Sequence, residues 1–230
     1  MTDNKIIKQR FRSSIKRGTG EAHLIMQNNP TVDFSSDIIK ASLTNYAYDG
    51  QSEGSRALYI SELIALSKHQ DKIRKAILFG LSNEPKDIWA LVQLFDLATF
   101  FAKQGNKEAK RVIYKRFLKV IINGADWCGY DSIIALDGLD GLKYIASKFG
   151  KLRVKYPDDW QDDMIIRHFQ DENPSVDAMK ELEKASITNK YIKIYLDNVQ
   201  RTEANRENYQ PPFFNLDTLS NSSLNFNINV

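Results

Sequence analysis

The chain has 230 residues, 42% hydrophobic and 27% charged, with a formal net charge of +3 and a single cysteine, Cys128. A chain this long buries roughly 70% of its unfolded surface and needs no structural metal, and one cysteine excludes an internal disulfide framework and fits a reducing compartment. The basic start, MTDNKIIKQRFRSSIKR, lacks the apolar core of a secretory signal, and the longest apolar run, IWALVQLFDLATFFA, is broken by Gln93 and Asp96 and falls short of the ~20 residues that cross a bilayer, so the expectation is a cytoplasmic protein with no membrane contact.

The first corner, SIKRGTGEAHL at 14–24, superficially resembles a phosphate loop. No buried strand precedes it and no Lys-Ser or Lys-Thr follows, so it is read as a helix corner: Gly18 just past one helix, Thr19 as the N-cap of the next, Glu21 near its positive end. SRALYISELIALSKH then carries Leu58, Ile60, Leu63, Ile64 and Leu66 at helical spacing. KDIWALVQLFDLATFFAKQG has almost no polar face, with Trp89, Val92, Leu94, Phe95, Leu97, Phe100 and Phe101, and predicts a central helix. EAKRVIYKRFLKVIING is amphipathic, with Val112, Ile113, Phe117, Val120 and Ile121 inward. The last helix is expected within 175–201, packing through Ile187, Ile192, Ile194, Tyr195, Leu196 and Val199. Short polar corners separate these segments, and strand signals are scarce before residue 220.

IIKASLTN from Ile38 and IRKAILFG from Ile73 match at an offset of 35, which also places Ala22 over Ala57 and Ile25 over Ile60. A third unit runs from WALVQLFDLATFF through KRVIYKRFL, and a fourth begins at GLDGLKYIASKFG. The pattern resembles HEAT-like and armadillo-like α-helical repeats over about residues 15–150, by hydrophobic spacing alone. The resemblance implies an all-α chain folded as a right-handed α-solenoid of stacked hairpins, each unable to bury its apolar face alone. An irregular helical bundle is the alternative.

Charge is divided along the chain. Residues 1–155 hold 25 Lys and Arg against 16 Asp and Glu, and residues 156–230 hold 7 against 13. The expected organisation is a basic helical-repeat region over 1–155, an acidic helical continuation over 156–202 and a polar tail over 203–230. Within the basic region Lys107, Arg111, Lys115 and Lys119 recur every four residues and fall on one helix face, a candidate polyanion-binding stripe or a solvated surface.

ADWCGYDSIIALDGLDG at 125–141 is the densest polar-aromatic stretch, and Asp126, Trp127, Tyr130 and Asp131 form a second candidate site. LDGLDG lacks the alternating acids of a calcium loop, and on one helix Asp137 and Asp140 are i,i+3 neighbours. Cys128 as a nucleophile has no histidine near in sequence. The structural reading is an N-capping loop, with Gly138 and Gly141 allowing close helix packing. DWCGYDSIIALD resembles the Trp/Asp segment of the HEAT-like alkylpurine DNA glycosylases, which present a basic concave face to DNA. It departs in having Tyr130 before Asp131, and no matching arginine is assignable, so catalysis is not carried over.

YPDDWQDDMIIRHF at 156–169 sets acids at a helix start, where the dipole favours them. In the terminal LNFNINV, Leu224, Phe226, Ile228 and Val230 alternate with asparagines, a strand-like pattern suited to pairing with a partner's sheet edge or to a disordered end. No motif requires a metal or cofactor. The sequence thus points to a non-enzymatic helical-repeat scaffold or adaptor with a protein partner, or alternatively to a nucleic-acid binder working through the 107–119 stripe.

Overall fold

The computed structural model describes residues 2–44, 53–83, 88–122, 129–154 and 163–207. Among them are eleven helices and no strand: α1 (Thr2–Arg17), α2 (Glu21–Asn28), α3 (Ser35–Leu43), α4 (Glu53–Leu66), α5 (Gln70–Ser82), α6 (Ile88–Lys103), α7 (Lys107–Ile122), α8 (Tyr130–Arg153), α9 (Asp163–Glu172), α10 (Ala178–Ser186) and α11 (Lys190–Glu207). The all-α expectation holds. The strand-like end, with Leu224, Phe226, Ile228 and Val230, lies outside the described residues. No described helix is long and apolar enough to cross a membrane.

The 14–24 stretch is a helix corner. Gly18 takes a φ of 64° just past α1, and the Thr19 amide returns to the Ser14 carbonyl at 3.2 Å, the bond that closes a glycine-terminated helix. The N-cap is Gly20, however, and not Thr19. The Thr19 hydroxyl is engaged by Ser14 Oγ at 2.9 Å, which also donates to Glu21 at 2.7 Å, so the threonine is spent holding the end of α1.

The helices lie in two rows. Along the first, α1 packs on α3, α3 on α5 and α5 on α7; along the second, α2 packs on α4, α4 on α6 and α6 on α8. Helix α6 touches α3, α4, α5, α7 and α8, as its nearly all-apolar sequence predicts. Among the described residues α1–α5 make no contact with α8–α11. One apolar core nevertheless runs from Phe11 through Phe95 and Phe117 to Tyr195 and Val199. In α4, Ile60, Leu63 and Ile64 are buried as expected, but Leu58 and Leu66 are exposed, because the α4 stripe spans more arc than its neighbours cover. Ile187 is also exposed, falling in the turn between α10 and α11. Ile192, Tyr195, Leu196 and Val199 form the buried face of α11.

Two polar clasps join the rows. The last carbonyls of α3 have no partner within that helix. Arg56 of α4 donates to the carbonyls of Ala41 and Thr44 at 3.2 and 3.1 Å, and Gln93 of α6 donates to those of Ala41 and Ser42 at 3.0 and 2.6 Å. The second clasp is Asp137 of α8, which accepts from Lys110 Nζ of α7 at 2.5 Å and from the Tyr114 hydroxyl.

Helix α8 is bent at Gly138, whose φ of 53° and ψ of −126° are non-helical. An added Cβ on Gly141 would sit 2.6 Å from the Ile133 carbonyl oxygen, so the two halves of α8 touch backbone to backbone. The close packing expected of both glycines is present at Gly141 only: an added Cβ on Gly138 would meet nothing within 4 Å, and that glycine serves the positive φ of the bend instead. Asp137 and Asp140 lie on opposite sides of the bend and are not neighbours on one regular helix.

Candidate functional site

Helix α7 shows why its sequence divides as it does. Ala109, Val112, Ile113, Arg116, Phe117 and Val120 are buried, and at 100° per residue they occupy one arc. Lys107, Arg111, Lys115 and Lys119 fall on the opposite arc and all four are exposed. Arg111 approaches Glu108 only to 4.0 Å, and Lys107, Lys115 and Lys119 have no ion-pair partner among the described residues. Like charges at i,i+4 cost a few tenths of a kcal/mol per pair. The stripe therefore opposes helix stability and contributes nothing to the core.

The stripe belongs to a larger asymmetry. The first row, α1, α3, α5 and α7, carries 16 Lys and Arg against 4 Asp and Glu, a balance of +12. The second row, α2, α4, α6 and α8, carries 6 against 7, a balance of −1. Of the first-row cations only Arg116 is buried. The first-row acids are mostly engaged: Asp37 with Arg12 at 2.6 Å, Asp71 with Arg74 at 2.7 Å, and Glu108 with Arg111. Between α1 and α3 the row is indented by a cleft of about 420 Å³ lined by Arg12, Ile15, Lys16, Ser36, Asp37 and Lys40.

The second candidate site is only partly within view. Asp126 and Trp127 lie outside the described residues, whereas Tyr130 and Asp131 open α8. The fold brings His168 of α9 to them. Its Nε2 lies 2.9 Å from Asp131 Oδ1 and 3.6 Å from Glu172 Oε1, and its ring meets Tyr130 edge-on with centroids 5.5 Å apart. Neither carboxylate is aligned to accept a hydrogen bond from that nitrogen. Desolvation raises the Asp131 carboxyl above the ordinary carboxylate range and Glu172 adds to this, while His168 opposes it. Sequence reading missed this pairing because His168 and Asp131 are joined only by the packing of α9 on α8. No group of three or more His, Cys, Asp or Glu able to hold a metal occurs among the described residues.

At the Asp137 clasp, burial pushes the carboxyl up, but the hydrogen bonds from Lys110 and Tyr114 outweigh it, and the net shift is downward. Burial, followed by the hydrogen bond to Asp137, raises the Tyr114 hydroxyl well above the ordinary phenol range. Lys110 is thereby drawn to α8 and does not join the stripe, although it lies only three residues from Lys107.

Comparison with known proteins finds no matching family model, no matching curated protein and no matching solved structure.

Proposed function

We propose that this chain is a non-enzymatic helical-repeat binding protein whose first row of helices holds nucleic acid through its phosphate backbone. The observation that carries the reading is the difference between the rows, +12 against −1, in helices that share one core. Such a separation is unnecessary for packing and raises the local concentration of a polyanion. The repeat reading, a HEAT-like solenoid, is supported by element positions: α3 starts at Ser35 and α5 at Gln70, α4 at Glu53 and α6 at Ile88, both at the offset of 35 seen in the sequence. The matched pairs Ala22/Ala57, Ile25/Ile60 and Ile38/Ile73 are all buried. A protein partner was the first expectation; the exposed charge of the first row favours a polyanion instead. The aligned stripe and the absence of a base-reading motif favour contacts to phosphates over contacts to base edges.

The test is oligonucleotide binding by the full chain as salt is raised. Four phosphate contacts from α7 alone give about a 100-fold loss of affinity between 50 and 200 mM salt. Reversing Lys107, Arg111 and Lys115 together to Glu abolishes binding while leaving the thermal midpoint nearly unchanged, since all three are exposed. Absence of binding by the intact chain at low salt, or binding that the triple variant retains, refutes the proposal.

A further inference from the structure

Three large apolar side chains of the first row are exposed among the described residues: Ile6 of α1, Leu43 of α3 and Phe79 of α5. Two of them come together. Gly80 follows Phe79, and an added Cβ there would fall 2.4 Å from Leu43 Cδ2, so Leu43 lies against the backbone of α5 beside Phe79. Leu43 is nevertheless 39% exposed and Phe79 72%. The Phe79 carbonyl accepts from the Asn83 amide at 3.1 Å and from Asn83 Nδ2 at 2.7 Å, which fixes the backbone from which the ring projects. Single exposed apolar residues are ordinary on a protein surface. A pair of them on a cationic row calls for a ligand with both an apolar face and negative charge.

The cations around this spot are placed by helix periodicity. Lys40 precedes Leu43 by three residues and Lys75 precedes Phe79 by four, so each is a neighbour on its own helix face. Both lysines are exposed and have no ion-pair partner among the described residues. Helix α7 continues the arrangement. Ile73, Ile77 and Leu81 of α5 and Ala109, Ile113 and Phe117 of α7 are all buried, an offset of 36 between two helices that pack on each other. The same offset matches Lys75 to Arg111 and Phe79 to Lys115. Phe79 therefore occupies the arc that the stripe occupies on α7, with an aromatic ring where α7 has an ammonium group.

We infer that Phe79 is a stacking platform for an unpaired base, so that the first row holds its nucleic acid as a single strand, with Lys40 and Lys75 taking neighbouring phosphates. The inference rests on the first-row reading and adds to it the state of the ligand. A duplex turns its phosphates outward and keeps the faces of its bases stacked inside, so a ring on a phosphate-binding surface finds nothing there to stack on. A single strand offers a base face and a phosphate within one nucleotide. Leu43 widens the apolar floor on which that base rests. Stacking uses the face of a base and leaves its edges unread, in agreement with the lack of a base-reading motif.

The experiment measures binding of the full chain, at one fixed salt concentration, to three ligands of about twelve nucleotides: a thymidylate single strand, an abasic strand of the same length and charge, and a duplex. The expected result is about tenfold tighter binding of the thymidylate strand than of the abasic strand. Phe79→Ala removes that increment and leaves the abasic strand and the duplex within about twofold of their binding to the unaltered chain. Phe79→Tyr keeps the ring and keeps the increment, whereas Phe79→Leu keeps apolar bulk without the π-face and loses most of it. Equal binding of the thymidylate and abasic strands by the intact chain overturns the platform assignment and leaves the first-row reading in place. An increment that survives in Phe79→Ala or Phe79→Leu does the same, as does a loss in Phe79→Ala that the duplex shares equally. Failure of every ligand to bind refutes the first-row reading itself.

Discussion

The two rows of helices face the same core and meet the same packing demands, yet they differ almost completely in what they show to solvent. Both bury Ile, Leu and Ala at helical spacing: Ile38, Ile73 and Ile113 in the first row, Ile25, Ile60 and Leu94 in the second. The first row adds a dense array of exposed cations, and the second balances its few charges. Apolar positions are set by the need to exclude water, so they recur in both rows. Exposed charge is free of that need, and where it accumulates on one side against its own repulsion, the cause is sought in a ligand.

The comparison is broken most severely by cutting the clasps that hold the rows in register. Gln93→Leu leaves the Ala41 and Ser42 carbonyls without the donor that reaches them from α6, and it costs about 2 kcal/mol, read from chemical denaturation. The loss is partly offset because the Gln93 carbonyl oxygen is itself buried with no partner. A smaller effect, about 1 kcal/mol, follows from Asp137→Asn, and it carries a pH signature. The Asp137 carboxyl is held below its ordinary value, so the unfolded chain binds the proton more readily and the folded state is favoured above the unfolded pKa. That stabilisation is lost as pH falls through the folded value. The deficit of Asp137→Asn in thermal midpoint is therefore full at pH 7 and closes below about pH 4. The smallest effect is expected on the outer surface of the first row. Phe79 is 72% exposed on α5, and Phe79→Ser leaves stability within about 0.5 kcal/mol, so a larger loss by denaturation shows that this surface is not open.

Much of this architecture is legible in the residues. The α7 stripe follows from spacing alone, since four-residue recurrence on a helix leaves no other face for Lys107, Arg111, Lys115 and Lys119. Gly18 is readable as a helix end because its position requires positive φ. The row asymmetry is hidden in the sequence, where residues 1–155 show only a diffuse basic excess, because rows exist only once alternate helices are known to pack on each other. Arg12 with Asp37 and Asp131 with His168 are hidden for the same reason, each pair being joined by tertiary packing between different helices. Thr19 shows a subtler limit. Its type suits an N-cap, but Ser14 competes for its hydroxyl, and no local rule ranks the two partners.

The backbone at Gly138 also decides which helix covers the second half of α8. A straight α8 would carry the second row onward and leave an apolar flank open to a further pair of helices. By folding α8 back against its own first half, the chain turns that flank toward α11, which covers it with Ile192, Tyr195 and Val199. A single residue tolerant of positive φ thereby gives α11 the surface on which it packs.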